Sequence, residues 1–104
     1  MNANSANTPT SVRIDGARLW RSLMELAQLG ATPKGGVRRL ALTDLDRQGR
    51  DLVIRWLREA GANVEIDGVG NIFALRRGRD RAASVVLTGS HVDTQPSGGK
   101  LDGN

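Results

Sequence analysis

The spacing of apolar residues changes at Gly61, and that change restricts the fold more than any other feature of the chain. Before it, apolar residues recur every three or four positions, the repeat of a helix with one covered face. After it they alternate, the repeat of a half-covered strand. Ala17, Trp20, Leu23, Met24 and Ala27 form the first helical stripe, with Asp15 as N-cap and Gly30 as stop. Thr43-Asp44-Leu45-Asp46 reads as a capping box with Asp46 in place of the usual Glu or Gln. It opens a second helix that runs to about Ala60. The stripe there is Leu52, Val53, Trp56, Leu57 and Ala60; Gly49 weakens the interior and Gly61 ends the helix.

Beyond Gly61, Val64 and Ile66 alternate with Asn63 and Glu65, Asp67-Gly68 marks a turn, and Asn71 to Leu75 returns as the partner strand. Arg76 to Arg81 is a charged turn. Ser84-Val85-Val86-Leu87-Thr88 is apolar and β-branched on consecutive positions, which predicts a strand covered on both faces. Helix, helix, hairpin and buried strand make the opening of an α/β domain, not a finished one. The expected fold is therefore α/β, with helices flanking a central mixed sheet. Residues 1–11 are polar and predict a disordered lead-in. Residues 12–104 then form the first part of a single, truncated domain.

Composition removes several classes of function. With 104 residues the chain can bury one small core. It has no cysteine, so disulfides and thiolate metal sites are excluded. Its only aromatics are Trp20, Trp56 and Phe73, too few for a base-stacking surface. The net charge is +4, with every basic residue but Lys34 and Lys100 an arginine. Those arginines are scattered among acids, which favours a solvated surface over a nucleic-acid footprint. The start is not ordered like a secretory signal, and no apolar run approaches a membrane span. A cytoplasmic protein without membrane or nucleic-acid partners is expected. Gly35-Gly36, between Lys34 and Arg38, could cradle an anion. It lacks a phosphate-loop pattern, so a plain turn is favoured.

The chemistry gathers at the end of the chain. His91, the single histidine, follows the predicted strand at its carboxyl end, where open α/β sheets place ligands. Imidazole nitrogen and carboxylate oxygen are the donors that zinc-like divalent ions take. Asp93 could accept a hydrogen bond from the imidazole nitrogen turned away from a metal and so orient His91, or it could cap a local turn. Asp102 could bridge two ions through its two oxygens, with Gly98 and Gly99 folding it back toward His91. It could equally be a solvated turn residue. Two donors do not close a metal site.

These residues also carry a resemblance. Gly89-Ser90-His91-Val92-Asp93-Thr94, followed by Gly98-Gly99-Lys100-Leu101-Asp102-Gly103, resembles the first metal-binding segment of the di-zinc amidohydrolases related to aminoacylases and carboxypeptidases. Within them it is most similar to the N-carbamoyl-L-amino-acid hydrolase, allantoate amidohydrolase and β-ureidopropionase group. Leu26 to Gly30, Gly35-Gly36-Val37, Thr43 to Arg50 and Val69 to Phe73 extend the likeness over nearly everything after the lead-in. Leu101 departs from it, where Phe is expected before the bridging aspartate.

The resemblance implies that His91 is a terminal metal ligand, Asp102 the bridging ligand, and Asp93 the carboxylate that orients His91. It implies two divalent ions per site, zinc or else manganese, cobalt or nickel. It further implies metal-assisted hydrolysis of a small ureido substrate by a homodimeric parent enzyme. The group's general base, the first Glu of a Glu-Glu pair, and its remaining ligands have no counterpart in these 104 residues, so the chain alone is expected to be inactive. The alternative expectation is a peptidase or N-acyl amino acid hydrolase of the same superfamily.

Overall fold

The computed structural model describes residues 11–103. The disordered lead-in expected over 1–11 therefore lies outside the described residues, apart from Ser11. Helix α1 (Gly16–Gln28) begins where the Asp15 carboxylate accepts the Arg18 amide at 2.9 Å. Helix α2 (Asp44–Glu59) begins at Thr43, whose Oγ1 accepts the Asp46 amide at 3.2 Å. Asp46 reaches back in return, but to the amide of Leu42, at 3.0 Å. Leu42 has a left-handed backbone with φ 66°, and its side chain is fully exposed. Both helices thus start by satisfying amide groups that have no partner inside the helix.

The covered faces differ in part from the sequence stripes. In α1, Leu26 and Ala27 are buried and Leu23 and Met24 half-buried, whereas Ala17 and Trp20 are exposed. Nothing among the described residues covers the first two turns. In α2, Leu52 and Ile54 are buried, Val53, Trp56 and Leu57 are half-buried, and Ala60 is exposed. Ile54 lies outside the expected stripe. It shares a cavity with Ile66, because the following hairpin packs on this side of α2.

That hairpin pairs β1 (Asn63–Ile66) with β2 (Ile72–Leu75) antiparallel, Val64 opposite Ala74 and Ile66 opposite Ile72. Its turn is organised by one carboxylate. Asp67 Oδ1 accepts the amides of Val69 and Asn71 at 3.1 and 2.8 Å, and Oδ2 accepts the Asn71 side-chain amide at 2.8 Å. These bonds, the Asn71 side chain first, hold the Asp67 carboxyl below the usual aspartate range. Arg50 of α2 ties the turn down by donating to the Gly70 carbonyl at 2.7 Å.

The strand expected over Ser84–Thr88 is not formed. Val85, Val86 and Leu87 are 79%, 92% and 84% exposed. A strand exists only as a pairing, and no described segment runs alongside these residues; the sheet among the described residues is the hairpin alone. The central mixed sheet is thus not formed here either. No helix among the described residues is long and apolar enough to cross a membrane.

Among the described residues five apolar side chains are buried: Leu26, Ala27, Val37, Leu52 and Ile54. Val37 joins the elements, because its backbone bridges Ala31 on one side and Gly98 on the other. Its amide donates to the Gly98 carbonyl at 3.0 Å. The loop after α1 is thereby fastened to the end of the chain where the candidate donors lie.

Candidate functional site

The stretch from Ser90 to Gly103 closes on itself. Ser90 Oγ donates to the Gly103 carbonyl at 2.8 Å, joining residues thirteen apart. Gly103 has φ 81°, and a Cβ there would lie 2.7 Å from His91 Cε1 and 2.8 Å from the Asp93 carbonyl oxygen. Only glycine lets the backbone pass so close to the ring. Asp102, half-buried, accepts the Gln95 amide through Oδ2 at 2.8 Å and lies over Gly98, where any Cβ would collide with its carboxylate.

His91 Nδ1 and Asp93 Oδ1 are 3.0 Å apart. A carboxylate can only accept, so the imidazole presents Nδ1–H to it and turns Nε2, a lone-pair donor, the other way. The His91 side chain remains 58% exposed. The three residues singled out in the sequence therefore share one turn. His91 and Asp93 are directly bonded, and Asp102 is joined to them through Gly103.

Beneath this turn sits a residue that the sequence reading assigned to the solvated surface. Arg39 is completely buried. Its Nη1 donates to the Leu26 and Leu29 carbonyls at 3.0 and 2.7 Å, which satisfies acceptors at the end of α1 and places a cation at the negative pole of the helix. Its Nε donates to the Val92 carbonyl at 3.1 Å. Its main chain pairs with Thr94: the Arg39 amide donates to Thr94 Oγ1 at 2.7 Å and its carbonyl accepts the Thr94 amide at 2.8 Å. Nη2 is buried with no hydrogen-bond partner, a cost of about 1–3 kcal/mol. Burial lowers the pKa of Arg39, and the carboxylates of Asp46, Asp93 and Asp102 oppose that shift.

Gly49 belongs to the same arrangement. A Cβ at this α2 position would stand 2.9 Å from Arg39 Cδ and 3.2 Å from Val92 Cγ1. The helix therefore carries glycine, at about 1 kcal/mol relative to alanine, where the arginine stem crosses it. No sequence signal separates Arg39 from its neighbour Arg38, since both are arginine. Val37 and Arg39 are buried and Arg38 between them is exposed, the alternation of an extended segment.

The Gly35-Gly36 pair is a turn. The Gly35 amide donates to the Thr32 carbonyl at 3.0 Å and the Gly36 amide to Thr32 Oγ1 at 3.1 Å. Both amides are used internally, so the anion cradle considered from sequence is not formed.

Imidazole nitrogen and carboxylate oxygen on one turn, with the far imidazole nitrogen held by a carboxylate, are suited to a zinc-like ion. The donor types fit and the number does not close a site. Among the described residues no group of three or more His, Asp or Glu is placed to hold a metal.

No family model matches the chain. Individual proteins do, and all those compared below are amidohydrolases or amidases by name. An N-carbamoyl-L-amino-acid amidohydrolase of Rhizobium meliloti is 48% identical over 91 residues, which are 88% of this chain and 22% of the relative. An allantoate amidohydrolase of Bacillus subtilis is 40% identical over 75% of this chain and 19% of its own length. A hydantoinase/carbamoylase family amidase from Burkholderia ambifaria superposes with a TM-score of 0.78 at 66% identity, over 84% of this chain and 22% of that one. In sequence and fold the chain is similar to one part of the hydantoinase/carbamoylase amidases, the group that the His91-to-Gly103 pattern resembles. It spans about a fifth of the length of the curated relatives it matches.

Proposed function

We propose that the full-length protein carrying this segment hydrolyses C–N bonds in linear ureido or amidine compounds. N-carbamoyl-L-amino acids are the first candidates, with allantoate and β-ureidopropionate as related ones. The observation that carries this reading is the shared turn of His91, Asp93 and Asp102 within a segment 48% identical to an N-carbamoyl-L-amino-acid amidohydrolase. His91 Nε2 and the Asp102 carboxylate are the donors for two divalent ions, zinc or else manganese, cobalt or nickel. When bound, such ions polarise a carbonyl and make water a nucleophile near neutral pH.

The chain's own residues perform the positioning. Asp93 keeps the proton on Nδ1 of His91, which leaves Nε2 as a lone pair with a fixed direction. The Gln95 amide fixes one oxygen of Asp102. A carboxylate elsewhere in the full-length protein acts as general base and passes the proton to the leaving nitrogen. With an N-carbamoyl amino acid the products are carbon dioxide, ammonia and the amino acid. The same reading carries a homodimeric, cytoplasmic parent without nucleic-acid or membrane partners.

A panel of N-carbamoyl-L-amino acids, allantoate, N-acetyl amino acids and dipeptides, followed by ammonia or amino-acid release, tests the substrate class. Turnover is expected on ureido compounds. Turnover restricted to dipeptides or N-acetyl amino acids would overturn the assignment. The 104-residue chain alone is expected to release no product.

A further inference from the structure

We propose that Arg39 is a positioning residue for the His91–Asp93 pair. The turn that carries the pair faces solvent, and a hydrogen bond between two half-exposed side chains does not by itself fix a backbone. Its peptide frame is instead fixed from below. Arg39 Nε holds the Val92 carbonyl, which belongs to the peptide joining Val92 to Asp93. The Arg39 main chain makes two bonds with Thr94, the residue directly after Asp93. The guanidinium is anchored in turn by the Leu26 and Leu29 carbonyls. One side chain thus joins the end of α1 to the peptide that sets the angle between imidazole and carboxylate.

The energetics favour a positional role over a stabilising one. A buried cation with an unpaired donor contributes little to stability compared with an apolar side chain of similar size. What an apolar residue could not supply is a planar fork that fixes carbonyls in two separate segments. Gly49 points the same way, since its missing side chain makes room for the arginine stem and Val92.

This inference rests on the proposed ligand role of His91, yet its test needs no metal. In the 104-residue chain, Arg39→Met, Arg39→Lys and Gly49→Ala are compared with Arg38→Met, a change at the exposed neighbour. Far-UV circular dichroism reports the helices, amide exchange reports Thr94, and long-range ¹H–¹⁵N spectra of the imidazole report which nitrogen of His91 carries the proton. Arg39→Met is expected to keep the helices, speed Thr94 exchange at least tenfold, and shift His91 from the Nδ1–H tautomer toward a mixture. Arg39→Lys should recover less than half of either effect, and Arg38→Met should change neither. If Arg39→Met unfolds the chain, Gly49→Ala supplies the folded comparison, because its methyl group crowds both the arginine stem and Val92 while improving the helix. An unchanged His91 tautomer in a folded Arg39→Met or in Gly49→Ala would overturn the proposal. Loss of metal binding on replacing His91 is a separate result, so failure of the ligand assignment and failure of the positioning role are distinguishable.

Discussion

Gly103 and Arg39 set the local geometry of the turn, one packed against the imidazole and the other bonded to the Val92 carbonyl. Gly103 holds a left-handed backbone against the ring, so a methyl group there meets both backbone strain and direct collision with His91. Gly103→Ala is expected to lose at least about 1–2 kcal/mol from the strain alone. Urea unfolding followed at the helical signal measures that loss, and displaced His91 ring resonances should accompany it. Residue types and spacing made His91, Asp93 and Asp102 legible as candidates in the sequence. Arg39 was not legible. A long cationic side chain is ordinarily a surface residue, and its burial depends on carbonyls of Leu26, Leu29 and Val92 that converge only after folding.

At the scale of elements, local chemistry decided what could be read in advance. Helix starts at Asp15 and Thr43 and the β1–β2 hairpin follow from neighbours in sequence, and the structure places them within a residue or two of expectation. Thr43→Ala should lower stability by about 1 kcal/mol, seen as a lower urea midpoint with the slope unchanged. The hairpin turn should respond to acid. Because the folded pKa of Asp67 is depressed, its contribution is present above the unfolded value and is lost as pH falls through the lower folded one. Amide shifts of Val69 and Asn71 should therefore hold steady down to about pH 4 and move toward random-coil positions below it. In Asp67→Asn that transition should be absent. The strand over 84–88 failed for the opposite reason. Its composition is right, but sheet formation needs a partner, and pairing is not a property of one segment.

For the whole molecule, Val85, Val86, Leu87 and Trp20 are exposed, whereas five apolar side chains are buried among the described residues. The 104-residue chain should associate at high concentration. Val86→Lys should lower its weight-average mass in sedimentation equilibrium, and unchanged association would show that this segment is not responsible. The α/β class was legible from the change in periodicity, whereas the central sheet depends on segments that pair with residues 84–88. The proposed function requires that His91 and Asp102 together hold divalent ions in the full-length protein. Metal content per protomer, measured for that protein and for its His91→Ala and Asp102→Ala variants alongside ureido-substrate turnover, tests this most directly. Two ions per protomer are expected in the parent, with at least one lost and turnover abolished in each variant. Full metal content and undiminished turnover in both variants would contradict the claim.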